Sequence, residues 1–173
     1  MPTTASQPFS IAAGPDGNLW FTEVNAHKIG RITTAGVITE FTTPTAGNPG
    51  GIAAGPDGAL WFTEITGNKI GRVTTGGIFT EFPIPTPDSF PHRITAGPDG
   101  NMWFTEVGAQ KIGRITMAGV ITEFLVPTAG AQPFDIVSGS DGALWFTERI
   151  PGGCPSLPDR IRAGRSPVDR FVR

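Results

Sequence analysis

GPDGALWFTE, at residues 55–64, is one of four near-identical copies of a single decapeptide in the chain. The other copies are GPDGNLWFTE at 14–23, GPDGNMWFTE at 97–106 and GSDGALWFTE at 139–148. The isoleucines that precede the copies are separated by 41, 42 and 42 residues; they are Ile11, Ile52, Ile94 and Ile136. Self-similarity at a fixed period of this length is the signature of a repeat architecture.

Each repeat divides into four short runs that the sequence predicts as strands. In the second repeat these runs are residues 51–54, 59–65, 69–74 and 78–82. The first turn is PDG at 56–58, in which proline presets φ and glycine accepts the left-handed conformation that follows. A proline-rich stretch at 83–91 crosses to the next repeat without leaving backbone donors unsatisfied. The pattern predicts no helix.

Large apolar groups occupy both alternating faces of the second strand, where Trp61 and Phe62 point in opposite directions. A strand that is apolar on both faces belongs to a sheet covered on both sides. Stacked copies of the repeat provide that cover, which predicts an all-β protein of the β-propeller type. We expect four four-stranded antiparallel blades within residues 1–148, beginning near residues 8, 49, 91 and 133, the last of them divergent.

The two ends of the chain depart from the repeat. PTTASQP at 2–8 aligns with the linker PTAGAQP at 127–133, which favours a piece of a longer array. End blades of such a piece would expose apolar faces, so self-association is predicted. Beyond the fourth copy, residues 149–173 form a tail rich in Arg and Pro. Either a divergent half-blade ends the array, with 160–162 and 168–171 as its third and fourth strands, or the reading frame shifts near residue 149.

Composition excludes several classes of function. The net charge is −2 and the repeats carry no basic face, so neither nucleic acid nor an anionic membrane is an expected partner. Cys154 is the sole cysteine, which excludes an intrachain disulfide and a thiol metal cluster. The first residues lack the pattern of a signal peptide and no apolar run has membrane-spanning length, which predicts a cytoplasmic protein.

Three strings of the first repeat, NLWFTE at 18–23, KIGRIT at 28–33 and GVITEF at 36–41, carry a family resemblance. They resemble the blade consensus of the virginiamycin B lyase (streptogramin B lyase) family, and the resemblance covers residues 2–148. It implies a seven-bladed propeller that linearises cyclic streptogramin B antibiotics, which are small cyclic depsipeptides. It further implies elimination at the ester bond with a general base and Mg²⁺, and antibiotic resistance as the biological result.

The resemblance also implies where the site lies. The family carries histidine in P-H-x-I segments near the central funnel, and here only His92, within PHRI at 91–94, matches that segment. The equivalent positions of the other repeats are Phe9, Gly50 and Phe134, so the second histidine that the resemblance implies on an adjacent blade is missing. His92 is therefore the implied catalytic residue, and nearby Glu106 is the implied metal ligand. Family positions for further carboxylates hold Phe90 and Val107 here, which implies that other blades of a longer parent carry the rest of the site.

The remaining recurrent residues have structural interpretations. The glutamates that end the decapeptide are expected either to pair with the lysines and arginines of the next strand or to be solvated at the strand end, except for the implied role of Glu106; the glutamates are Glu23, Glu64, Glu106 and Glu148. The aspartates are expected to shape turns and the tryptophans to pack blades. Two alternative functions stay open. One is a noncatalytic propeller that binds a peptide, glycan or protein; the other is a sugar-lactone hydrolase, which needs a metal-binding carboxylate cluster.

Overall fold

A computed structural model describes residues 3–149 and 162–165 of the chain. Within those residues every helix or strand assigned is a β-strand, and no helix there is long and apolar enough to span a membrane. The strands are β1 Pro8–Ala13, β2 Leu19–Glu23, β3 Lys28–Ile32, β4 Ile38–Thr42, β5 Pro49–Ala54, β6 Leu60–Glu64, β7 Lys69–Val73, β8 Phe79–Pro83, β9 Pro91–Ala96, β10 Met102–Glu106, β11 Lys111–Ile115, β12 Ile121–Leu125, β13 Gln132–Ser138, β14 Leu144–Arg149 and β15 Arg162–Arg165.

The strands form four antiparallel sheets in which each strand pairs with the next along the chain. Blade 1 is β1–β4, blade 2 is β5–β8, blade 3 is β9–β12, and blade 4 is β13–β15. The first strands of neighbouring blades, β1, β5, β9 and β13, contact one another in that order. This places them on the inside of a fan of blades, which is the arrangement of a β-propeller. The predicted all-β architecture is confirmed.

The turns of blade 2 adopt the conformations that their residues favour. Gly58 closes the first turn with φ +73° and Gly77 closes the third with φ +84°. Asn68 takes φ +53° in the second turn, a value that asparagine tolerates better than most side chains. The two glycines recur in blades 1 and 3 with the same sign of φ, as Gly17 and Gly36 and as Gly100 and Gly119, so these turns start the strands at equivalent positions.

Each blade has two different apolar faces. We call the side that carries the decapeptide tryptophan the Trp face, and the side that carries the phenylalanine the Phe face. Trp61 is fully buried against Ile94 and Met102 of blade 3, whereas Phe62 packs in the opposite direction against Trp20 of blade 1. The Trp face of one blade thus covers the Phe face of the next, as the alternation predicts.

The turn aspartates also anchor the tryptophans. Asp57 Oδ1 accepts a hydrogen bond of 3.0 Å from Trp61 Nε1, and Asp57 Oδ2 accepts one of 2.7 Å from Arg72 Nε. The Arg72 guanidinium lies 5.9 Å from the centre of the Trp61 ring. Together these bonds satisfy the indole donor at the edge of the blade interface. The same Asp–Trp bond recurs in the other blades, from Trp20 to Asp16, from Trp103 to Asp99 and from Trp145 to Asp141.

Substitution of Asp57 tests this anchor. Asp57→Ala leaves the Trp61 indole N–H without its acceptor and removes the ionic partner of Arg72, so we expect a loss of about 1–3 kcal/mol in unfolding free energy. Asp57→Asn keeps an acceptor for Trp61 and should cost less. Urea unfolding followed by tryptophan fluorescence measures both. An alanine variant as stable as the unmodified chain would show that the hydrogen bond does not contribute.

Blade 4 has three strands among the described residues. Its third strand, β15, pairs antiparallel with β14, and Phe146 lies opposite Gly164. This strand spans 162–165, whereas the half-blade interpretation placed it at 160–162. The fourth strand expected at 168–171 lies outside the described residues.

Candidate functional site

His92 lies at the start of β9, on the innermost strand of blade 3. Its ring centre is 4.0 Å from that of Phe134 on β13 and 5.4 Å from that of Phe9 on β1. The Arg93 guanidinium sits 4.6 Å from the centre of the Phe9 ring, within cation–π range. We call Phe9, His92, Arg93 and Phe134 the inner-rim cluster. It joins blades 1, 3 and 4.

Blade 2 makes room for this cluster because Gly50 occupies the position equivalent to His92. With no side chain there, Phe9 and His92 meet across blade 2. A Cβ at Gly50 would lie 2.7 Å from Thr63 Oγ1, so the position is also too tight for a larger residue. A threonine hydrogen bond recurs at each junction between inner strands: Thr22 Oγ1 donates to Gly50 O, Thr63 Oγ1 to His92 O and Thr105 Oγ1 to Phe134 O.

The surroundings of His92 determine its protonation. Its Nδ1 lies 3.3 Å from the carbonyl oxygen of Phe134. Because a carbonyl only accepts, Nδ1 carries the hydrogen and Nε2 keeps its lone pair. Burial, followed by the positive charge of Arg93, lowers the pKa of His92 below its ordinary value. A neutral imidazole with a free Nε2 is suited to accept a proton.

Glu106 ends β10 and is fully buried on the Phe face of blade 3. Among the described residues its carboxyl oxygens have no N–H or O–H donor. Burial, followed by the charge of the Glu123 carboxylate, raises the pKa of Glu106 to about 8. Lys111 Nζ lies 2.6 Å from Thr86 Oγ1 and 3.5 Å from Glu123 Oε2. Glu106 is therefore a neutral acid beside a carboxylate near pH 7.

The same arrangement recurs in blade 2, so it belongs to the blade and is not special to Glu106. Glu64 is buried, with a pKa raised to about 7 by burial and then by the charge of Glu81. Lys69 Nζ bonds Glu81 Oε2 at 2.7 Å and Thr45 Oγ1 at 2.6 Å. For Glu64 and Glu106 both predicted alternatives, pairing with the lysines and solvation at the strand end, are wrong, because both side chains are fully buried and accept no hydrogen bond from a described residue. The lysines pair instead with glutamates of the fourth strand, as in Lys28–Glu40 at 2.8 Å.

Comparison with known proteins identifies the family. A model described as the virginiamycin B lyase family matches residues 1–155. The chain belongs to the virginiamycin B lyase family. The resemblance carried by the blade consensus is thereby confirmed.

Solved structures of virginiamycin B lyases share the fold. A streptogramin B lyase is 51% identical, with 84% of this chain and 49% of that chain covered and a TM-score of 0.81. Virginiamycin B lyase from Staphylococcus aureus is 43% identical, with 95% and 57% covered and a TM-score of 0.84. A catalytically inactive histidine-to-alanine variant of the Staphylococcus aureus enzyme, with quinupristin, is 40% identical, with 96% and 58% covered and a TM-score of 0.83. This chain spans about half the length of these relatives.

The family resemblance implies magnesium, and the described residues can be tested for such a site. Within 3–149 and 162–165, no three or more His, Cys, Asp or Glu side chains form a group that could hold a metal ion. Glu106 contacts Glu123 on its own blade, and Phe90 and Val107 stand at the other family positions. The described residues thus do not form a magnesium site by themselves. A ligand role for Glu106 stays a prediction that needs residues from elsewhere in a virginiamycin B lyase.

Sequence reasoning pointed to His92 but missed the residues that surround it. Phe9 and Phe134 were noted only as positions that lack the second histidine of the virginiamycin B lyase pattern, and Arg93 was not considered. Phe9, Gly50, His92 and Phe134 occupy one repeat position, and that shared position on innermost strands was the available signal. Residues at one repeat position converge at the axis of a propeller.

Proposed function

We propose that this chain provides four blades of a virginiamycin B lyase that linearises cyclic streptogramin B antibiotics by elimination at the ester bond. His92 is the general base of the proposed reaction. The observation that carries the proposal is the neutral His92 imidazole on the inner rim, with Nδ1 bonded to a backbone carbonyl. Resistance to the antibiotic would be the biological consequence.

The relatives and the rim both support a cyclic depsipeptide as substrate. One structural relative is called a streptogramin B lyase, and another was solved with quinupristin. On this chain Phe9 is 39% exposed and Phe134 is 41% exposed, one on each side of His92. Exposed aromatic faces at a concave axis suit an apolar cyclic peptide better than a charged or highly hydrated ligand.

In the proposed reaction, His92 Nε2 accepts the proton removed from carbon while the ester C–O bond breaks. The pair of electrons from the C–H bond forms a carbon–carbon double bond, and the carboxylate leaves with the electrons of the C–O bond. The hydrogen bond from Nδ1 to Phe134 O holds the ring and stabilises the imidazolium that forms. The half-buried position lowers the pKa of His92, which keeps it ready to accept a proton at neutral pH.

Magnesium use is part of the proposal and is taken from the family resemblance. A bound divalent cation would polarise an oxygen of the substrate. Because the described residues hold no group of three candidate ligands, the proposal requires ligands from outside those residues.

A turnover assay with a histidine pair tests the proposed function. The chain, and a full-length protein completed with the further blades of a relative, are incubated with a streptogramin B and Mg²⁺ and followed by mass spectrometry. Elimination opens the ring without a change of mass, whereas hydrolysis adds one water. We expect His92→Ala in the completed protein to lower turnover by about a hundredfold. His27→Asn is the control, because His27 is the other histidine and holds a turn at φ +52° that asparagine tolerates.

The noncatalytic alternative predicts a different pattern in the same assay. It is favoured by the absence of a metal-binding group among the described residues. A binding propeller would hold the cyclic peptide without opening it. The completed protein and its His92→Ala variant would then both open the ring no faster than a sample without protein. If the completed protein with His92 intact opens no ring, the lyase proposal is wrong.

A further inference from the structure

Arg93 is an arginine of the inner-rim cluster whose guanidinium has no anionic partner among residues 3–149 and 162–165. It forms neither an ion pair nor a side-chain hydrogen bond with them, and its described contact is the Phe9 ring. The arginines of the third strands differ, because each pairs with the turn aspartate of its own blade; the pairs are Arg31–Asp16 at 4.0 Å, Arg72–Asp57 at 2.7 Å and Arg114–Asp99 at 4.0 Å. A fixed arginine without a counter-ion is suited to bind an anionic or polar ligand.

The fold holds Arg93 on the rim from both sides. Its strand, β9, belongs to blade 3, which has blades 2 and 4 of the same chain as neighbours. The guanidinium reaches past blade 2 to the Phe9 ring, 4.6 Å from the ring centre. Blade 2 leaves this path open because Gly50 and Gly51 stand at the repeat positions of His92 and Arg93. A Cβ at Gly51 would lie 2.8 Å from Arg93 Cα.

The contact with Phe9 orients the guanidinium without using its hydrogen-bond donors. An aromatic face attracts the cation, whereas the N–H groups lie in the plane of the guanidinium and need oxygen acceptors. The backbone is fixed as well, since Arg93 N donates to Thr105 Oγ1 at 3.1 Å. The N–H donors of Arg93 are therefore held at the inner rim and are not taken by any described acceptor.

The carboxylate at the repeat position of Arg93 in blade 4 does not neutralise it. That residue is Asp135, whose Oδ1 accepts a hydrogen bond of 2.9 Å from the backbone N–H of Ile136. The guanidinium of Arg93 instead contacts Phe9 of blade 1, on the other side of blade 3. The positive charge thus remains at the end of the cluster that includes His92 and Phe9.

Arg93 is also close to the atom that accepts the proton in the proposed reaction. The His92 ring and the Arg93 guanidinium both contact the Phe9 ring, at 5.4 and 4.6 Å from its centre. In a β-elimination, the oxygen that leaves is attached to the carbon next to the one that loses its proton. A substrate placed for proton transfer to His92 Nε2 therefore brings its leaving oxygen toward Arg93.

We propose that Arg93 binds the ester carboxyl group that leaves during the elimination, an assignment that rests on the proposed lyase function. The ester carbonyl oxygen accepts a hydrogen bond from the guanidinium in the bound ring. When the C–O bond breaks, the electrons of that bond spread over both carboxylate oxygens, which then accept two parallel hydrogen bonds. Arg93 keeps its proton, and the proton from carbon goes to His92. Because the interaction strengthens as charge develops, it lowers the barrier.

Equilibrium binding tests this assignment without requiring turnover. The ligands are the ring-opened acid of a streptogramin B, prepared chemically, and its methyl ester, which lacks the charge. Titration calorimetry on the completed protein compares the unmodified form with Arg93→Met and Arg93→Lys. We expect Arg93→Met to bind the acid about tenfold more weakly or worse, and Arg93→Lys to recover part of the affinity. Affinity for the methyl ester should stay within about twofold in all three proteins.

The matched control is Arg114→Met in the same blade. Arg114 lies on β11, where its guanidinium pairs with Asp99 and lies over the Trp103 ring. The control should bind the acid as the unmodified protein does. In the turnover assay we expect kcat to fall about tenfold in Arg93→Met, with a smaller change in KM, and to recover in part in Arg93→Lys.

The outcomes separate this assignment from the lyase function. Unchanged affinity for the acid in Arg93→Met contradicts the assignment even if the completed protein opens the ring. Equal losses for the acid and the methyl ester also contradict it, because they would mean that Arg93 only holds the rim together. A loss confined to the acid, in a completed protein that opens no ring, would confirm carboxylate binding by Arg93 and show that the lyase proposal is wrong.

Discussion

Gly71→Ala is expected to destabilise the chain by about 4 kcal/mol or more, because the position leaves no room for a methyl group. Gly71 lies opposite Phe62 in the β6–β7 pair, and a Cβ there would overlap Cζ and Cε2 of the Phe62 ring. Phe62 is fully buried between blades 1 and 2, so its ring cannot swing aside into solvent. A loss of this size is a large share of the 5–15 kcal/mol by which domains are usually stable.

The matched control is Gly76→Ala in the third turn of the same blade. A Cβ at Gly76 would have Thr74 Oγ1 as its nearest neighbour at 3.8 Å, an ordinary van der Waals distance. We expect that variant to unfold within about 0.5 kcal/mol of the unmodified chain. Urea denaturation followed by circular dichroism measures both. Equal losses in the two variants would contradict the role given to the Phe62 ring.

The double variant Gly71→Ala with Phe62→Leu separates crowding from a backbone effect. The smaller side chain should recover part of the stability if the methyl group and the ring compete for space. No recovery would place the cause in the backbone of β7.

The fold could be predicted from the sequence because every blade repeats the same local pattern of apolar and turn residues. The alternation of Trp61 and Phe62 assigns the two faces, and the PDG turn fixes where the second strand begins. Neither inference needs knowledge of residues distant in the chain. The junctions between blades then follow, since each of the three described junctions buries a Phe face against a Trp face.

The partners of the decapeptide glutamates could not be predicted in the same way. Lys69 lies directly opposite Glu64 in the β6–β7 register, which made their pairing the natural expectation. Instead, the linker that enters blade 2 lies over Glu64. A Cβ at Gly47 of this linker would be 2.8 Å from the Cβ of Glu64. Thr45 of that linker and Glu81 together hold the lysine. A linker path is a tertiary feature that strand alternation does not encode.

In the candidate site, too, one residue could be identified from the sequence, whereas its contacts with distant residues could not. His92 stood out because it is polar where the other repeats are not, which a sequence shows directly. The contact with Phe9 arises from blades 1 and 3, which are separated by a whole blade in which Gly50 has no side chain. That proximity exists only after the first strands converge on a common axis. The neutral state of His92 depends on the same convergence.

Glu106→Gln is expected to stabilise the chain by about 3–5 kcal/mol at pH 9 and to change it little at pH 5. Burial and the Glu123 carboxylate raise the pKa of Glu106 to about 8 in the folded chain, against an ordinary value near 4.5. A raised pKa means that the folded state holds the proton more tightly. The contribution of Glu106 to stability is therefore fully present below about pH 4.5, falls as the pH rises toward 8, and is lost above it.

Glutamine resembles the protonated form of Glu106, since its amide can donate to Glu123 as a neutral carboxyl group would. The variant should lack this pH dependence, so the difference in unfolding free energy should grow between pH 5 and about pH 8 and then level off. Glu23→Gln is the control: burial also raises the pKa of Glu23, but the Ser6 hydroxyl offsets part of that effect, and the difference should be smaller. Urea unfolding at each pH measures all three proteins. If the difference in unfolding free energy between Glu106→Gln and the unmodified chain is constant with pH, Glu106 is ionised in the folded blade. The assignment of a neutral carboxyl group to Glu106 is then wrong.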